Sequence, residues 1–212
     1  MITRTECSSA WQARFPFFPF FLFFLLVLPS CSEDSEDTND AGDTDTDSDT
    51  DTYPALEDCA EGEGIYDPSC DLCWQDPPQD AGVSWQAALD TCDGLSLGGA
   101  DDWRLPTVSE LRTLIRGCPA TETGGECYVN DECLEWMCWS DPCEGCDSFG
   151  GPGDEGCYWD PGLEGICDRW YWSSSAYEDD DAYAWGVYFY YAAVSTTDKT
   201  DSHGVRCVRS GQ

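Results

Sequence analysis

Residues 54–212 predict an α+β domain. Three observations lead there. Two stretches in the first half join a helix-capping residue to apolar side chains at helical spacing. Residues 170–209 alternate as strands do. The segment between them is rich in cysteine and glycine and has neither period.

The chain before that domain sets the compartment. Arg4 and Arg14 are the only basic residues ahead of Arg104, and Phe15 to Pro29 is an unbroken apolar run, FPFFPFFLFFLLVLP. The run is shorter than the about 20 residues of a membrane span. A positive start followed by a short apolar stretch is the pattern of a secretory signal, expected over residues 1–30. Leu28-Pro29-Ser30-Cys31 resembles a bacterial lipobox, which implies lipidation of Cys31 as the mature N-terminus; an ordinary signal peptide cut nearby is the alternative. Ser32 to Tyr53 holds ten acidic residues and no basic one. Such a segment buries too little surface to offset the entropy of ordering, and its charges extend it. Residues 31–53 are therefore expected to be a lipidated cysteine and a disordered spacer on the bacterial cell envelope, at the outer membrane or cell surface. No stretch of the spacer combines the Gly and the terminal Glu of an EF-hand loop.

The first helix is expected after the Asp76-Pro77-Pro78 turn. Ser84 can cap it, Trp85, Ala88, Leu89 and Cys92 follow on one face, and Gly94 supplies a stop. The second follows Trp103-Arg104-Leu105-Pro106. Leu105 is held extended by the proline after it, Thr107 and Glu110 make a capping box, and Leu111, Leu114 and Ile115 form an apolar face ending at Gly117. Residues 118–167 carry eight cysteines and read as a disulfide-stapled insertion, able to close on itself because eight is even. YWSSSAY, AWGVYFYY and HGVRCVR then read as strands of a small antiparallel sheet. Trp185, Val187 and Phe189 lie on one face, Tyr188 and Tyr190 on the other.

Residues 54–212 carry thirteen cysteines, so an exported chain should hold a disulfide framework. One cysteine is left over: a free thiol, an intermolecular bond, or a bond to an unlipidated Cys31. Two CxxC pairs, Cys70/Cys73 and Cys143/Cys146, could imitate a zinc site, but they stand far apart among many competitors. The same residues hold 32 acidic and 7 basic side chains, a formal charge of −25. That disfavours nucleic acid and anionic surfaces as partners, because both are bound through Lys and Arg, and no nucleic-acid partner is expected.

The blocks LCWQD, WQAALDTCDGLSLGGADDWRLPTVSEL, YWSSS, AWGVYF and VRCVR, in this order over Cys59 to Arg209, resemble the DUF1566 family, also described as the C-terminal domain of the collagen-like adhesin Lcl. The resemblance implies a C-type-lectin-like core, related to formylglycine-generating-enzyme-like folds. It implies a Cys92–Cys207 disulfide. It also gives Trp103, Pro106 and Trp172 structural roles, with Trp103 and Pro106 setting the entry of the second helix and Arg104 satisfying carbonyls or a carboxylate inside the fold. Sulfated-glycan binding through basic surfaces, associated with the Lcl relatives, does not carry over to so acidic a chain.

The expected function is a surface-displayed, non-catalytic recognition or adhesion module for a glycan or protein ligand, with no cofactor. Trp139, Trp159, Tyr183 and Tyr191 are candidates for stacking on a neutral sugar. A structural envelope protein is the alternative, with calcium near Glu178–Asp181. An oxidase like the formylglycine-generating relatives needs a reduced cysteine pair in a motif this chain does not match. His203, the only histidine, is expected in an exposed turn.

Overall fold

The structure, a computed structural model, describes residues 56–59 and 64–211. The expected signal, the Cys31 lipidation site and the spacer lie outside the described residues. Within them no helix is long and apolar enough to cross a membrane.

The described chain is α+β, with two helices and two sheets. Strands β1 (Glu57–Asp58), β2 (Ile65–Asp67), β3 (Leu72–Trp74) and β9 (Val208–Ser210) form an antiparallel four-stranded sheet in that order. The second sheet runs β4 (Gln79–Val83), β8 (His203–Val205), β5 (Trp170–Ala176), β6 (Tyr183–Tyr188), β7 (Ala193–Asp198). Only the β5–β8 pairing in it is parallel. The single small sheet expected from sequence is thus two sheets, and HGVRCVR is two strands rather than one. Its first half pairs in one sheet and its second half in the other. That crossing is why its alternation has no polar face: Val205, Arg206, Cys207 and Val208 are all buried.

Alternation along the strands separates two apolar cores. Tyr171, Trp185, Val187 and Val208 point into one with Leu111, Leu114 and Trp159. Trp172, Ala184, Val205 and Cys207 point into the other with Ala88, Cys92, Trp103 and Leu105. Both faces of β5 are covered, so Tyr171, Trp172 and Ser173 are buried in succession. Full burial of each large side chain contributes about 1.5–3 kcal/mol.

Helix α1 (Trp85–Asp93) starts after Ser84 and buries Ala88 and Cys92. The Ser84 side chain makes no capping bond. Helix α2 (Val108–Arg112) opens with the complete Thr107–Glu110 capping box. It ends at Arg112, earlier than the expected Gly117, because the next three amides bond at i→i−3 spacing: Thr113 to Glu110, Leu114 to Leu111 and Ile115 to Arg112. The Thr113 hydroxyl also donates to the Glu110 carbonyl at 2.7 Å. The tightened turn still buries Leu114 and Ile115.

The insertion closes on itself. Cys118–Cys146 encloses Cys127–Cys143, which encloses Cys133–Cys138, and Cys157–Cys167 closes a separate loop. Cys59–Cys73 and Cys92–Cys207 complete the six bridges among described residues. Cys70 is also disulfide-bonded. Both CxxC pairs are therefore split between different disulfides. Arg112 fastens the insertion to α2: its buried guanidinium donates to the carbonyls of Thr121, Glu122 and Val129. With carbonyl partners and no carboxylate, burial lowers its pKa to about 10.

Candidate functional site

The two motifs that stand out in sequence meet inside the fold. The three serines of YWSSS are held by different bonds. The Ser173 hydroxyl donates to Trp185 O (2.7 Å), and the Ser174 amide donates to Pro106 O (2.7 Å). The Ser175 hydroxyl accepts from the Val108 amide at the start of α2 (2.9 Å). Trp172, fully buried, donates its indole N–H to Val83 O at 2.8 Å. Trp103 is buried, and its indole donates to Leu97 O at 3.3 Å. These residues join α2 to β5 and face no opening. Arg104 departs from expectation. Its backbone pairs with Val208, while its half-exposed guanidinium grips Glu110 through two bonds of 2.6 and 2.5 Å. It braces the capping box from outside; the buried arginines are Arg112, Arg116 and Arg206.

The proposed stacking residues divide. Trp159 is buried in the core between Tyr171 and Phe189. Trp139 is half-buried, stacks on exposed Trp136, and donates to Val194 O at 3.1 Å. Tyr183 is half-buried in β6, where its amide donates to Asp180 O. Only Tyr191 is exposed. His203 lies in β8, half-buried against Trp172 with ring centroids 4.5 Å apart, rather than in an exposed turn. At the proposed calcium position, Asp179 accepts from the Trp136 amide and Asp180 from the Ala182 amide. Among the described residues no three metal-ligating side chains converge.

Tyr191 belongs to an aromatic group that sequence reasoning did not assemble. The turn after β6 sets Tyr190 at right angles to Tyr191 (4.8 Å, 85°), and Phe149 meets Tyr190 from the insertion (4.8 Å, 75°). Tyr188 stacks behind Tyr191 and continues the row to Trp170. Phe149 and Tyr190 form a wall of an open cleft of about 720 Å³, shared with Ile166, Asp154, Glu155 and Asp168 and closed below by the Cys157–Cys167 bridge.

Local chemistry explains why Phe149 stands out there. It has φ 59°, a left-handed conformation that is an outlier for an aromatic residue. Gly156 passes so close that a Cβ on it would lie 2.5 Å from the Phe149 Cα. Glu155 in the cleft lining (φ 56°) and Ala192 beside Tyr191 (φ 56°) are also left-handed. Two of the four non-glycine residues of this kind among the described residues thus line the cleft, and a third adjoins Tyr191. Strain of this sort costs on the order of 1–3 kcal/mol each and clusters where geometry serves a function.

Carboxylates dominate the electrostatics. Asp168 accepts from the Tyr188 hydroxyl, and burial together with that bond pushes the phenol up to about 12. Desolvation and the neighbouring Tyr191 and Asp168 raise Tyr190 as well. Both phenols are therefore neutral at neutral pH and present uncharged rings. The signal that could have found the site is Phe149 itself: an aromatic inside DSFGGPGD, where no core periodicity claims it.

The fold defines a disulfide-braced α+β domain with an exposed aromatic corner. Residues 63–209 match the family model of the Lcl C-terminal domain, and the chain belongs to that family. No curated protein matches it.

Proposed function

We propose that the chain is a lipid-anchored, non-catalytic recognition module displayed on a bacterial envelope, and that it engages its ligand, a neutral glycan or a protein segment, at the Phe149–Tyr190–Tyr191 corner. The observation that carries this reading is the exposure of Phe149, on a left-handed backbone in the lining of an open cleft, and of Tyr191 nearby. Large exposed rings that a core does not need are the usual means of stacking on sugars and anchoring partners. The charge of residues 54–212 argues for stacking over ion pairing with acidic ligands. Every described cysteine is disulfide-bonded, so none offers the reduced pair that an oxidase would need. The lipobox-like LPSC and the acidic stretch after it supply the anchor and spacer, and a C-type-lectin-like ancestry accords with recognition.

The test is a glycan array probed with the purified mature chain, in low salt and at about 1 M salt, where the Debye length is about 3 Å. Binding should persist at high salt and be lost in Tyr191→Ala. A blank array, with no envelope protein retained by the immobilised chain, would leave the structural role as the better reading.

A further inference from the structure

The cleft beside the aromatic corner is built for a particular charge. We infer that it takes a small organic ammonium group, held against the rings of Phe149 and Tyr190 and facing Asp154, Glu155 and Asp168. The inference rests on the recognition reading above and narrows its ligand.

Ring geometry is the first support. Phe149 and Tyr190 both line the cleft, with ring planes 75° apart and centroids 4.8 Å apart. Two rings on one cleft lining present aromatic surface to a guest there. Such surfaces suit alkylated ammonium ions, whose diffuse charge is attracted by ring quadrupoles and whose methyl or methylene groups fill apolar space. Ile166, half exposed on the cleft wall, extends that apolar surface.

The carboxylates are the second support. Among the described residues, the lining holds three acidic side chains and no basic one. No protein donor among the described residues engages the side chain of Asp154 or Glu155, whereas one oxygen of Asp168 accepts from Tyr188. The guanidinium of Arg206 lies behind Gly165 but is already matched by Asp76 at 2.6 Å and by the Glu164 carbonyl. The open side of the cleft therefore has negative charge to offer and none of the opposite sign. Concave walls of low dielectric strengthen that attraction relative to an open surface.

Rigidity is the third. The cleft is bounded by the Cys157–Cys167 bridge and by a loop where Gly151 donates to the Gly156 carbonyl at 3.0 Å. Phe149 and Glu155, both in the cleft lining, are held in left-handed backbone. A preformed site of this kind spends little entropy on ordering itself around a guest.

The experiment titrates the full mature chain by calorimetry with tetramethylammonium chloride, glucosamine and N-acetylglucosamine at matched ionic strength. Saturable binding of both cations, about tenfold tighter than N-acetylglucosamine, is expected; preference for glucosamine alone would assign the ammonium to an amino sugar. Raising the salt should narrow the preference without abolishing binding. Phe149→Gly should weaken the cations about fivefold, as loss of an exposed cation–π contact implies, while leaving the melting temperature unchanged or higher, because glycine relieves the left-handed strain. Asp154→Asn with Glu155→Gln should erase most of the charge preference. If N-acetylglucosamine binds as tightly as glucosamine, the ammonium inference fails and the recognition reading stands. If Phe149→Gly binds cations like the wild type, the charge is acting diffusely and the cleft is not the site. If no probe binds, the ammonium inference fails; the recognition reading falls with it only if the glycan array is blank and the immobilised chain retains no envelope protein.

Discussion

Replacing Cys92 and Cys207 together by alanine tests the framework most directly. The bridge spans 115 residues and ties α1 to the segment between β8 and β9, with both sulfurs buried in the second core. In the chain-entropy relation a loop of that length is worth about 4.8 kcal/mol. The effective loop is shorter, because Cys118–Cys146 and Cys157–Cys167 short-circuit separations of 28 and 10 residues inside it. With roughly 80 residues left, the same relation gives about 4.5 kcal/mol. The two alanines also leave a small cavity, which adds to the loss. At 2–4 °C per kcal/mol for a domain of this size, the melting temperature should fall by about 9–18 °C. Denaturant unfolding should show a lower midpoint and a larger m-value, since the unlinked denatured chain exposes more surface. A loss under about 1 kcal/mol would refute the reasoning, since the linkage would then constrain nothing that the other bridges do not.

Two further outcomes follow from buried polar groups. Arg112→Met removes three hydrogen bonds from a guanidinium and leaves the carbonyls of Thr121, Glu122 and Val129 without that donor, so it should cost about 3–5 kcal/mol by chemical denaturation; a cost below about 1 kcal/mol would mean the insertion does not depend on this anchor. Burial lowers the pKa of His203, partly opposed by Asp201 and the Ser202 backbone, so the folded state favours the neutral ring. Its contribution to stability is fully present above the unfolded value of about 6.5 and is lost as pH falls from there to the lower folded value. His203→Gln should flatten that part of the stability–pH curve, and an unchanged slope would show that the ring is not what titrates.

Local chemistry carries much of the helical half of this protein. Thr107 and Glu110 are close enough in sequence for their reciprocal bonds to be read directly, and both form. The Trp85, Ala88, Leu89, Cys92 spacing likewise announces α1. Strands are harder. Leu72–Trp74 has no legible period because all three residues are buried, and HGVRCVR conceals a change of sheet in the middle of an apolar run. A Trp-Arg-Leu-Pro string looks like core, which would put Arg104 inside the fold. Its neighbours are indeed buried, but strand alternation sends the guanidinium outward to Glu110.

The sequence by itself determined the properties that depend on composition and near neighbours: an α+β domain, its caps, a disulfide framework with a self-contained insertion, and a strongly negative charge. Tertiary structure alone decided which aromatic rings are spare. Trp159 and Tyr191 look equally available in the chain, yet one is wedged into the core and the other stands exposed against Tyr190. Phe149 and Tyr190 lie 41 positions apart in sequence. They meet because the Cys157–Cys167 loop and the turn after β6 bring two surfaces together, and contacts made across such distances leave no local pattern to read.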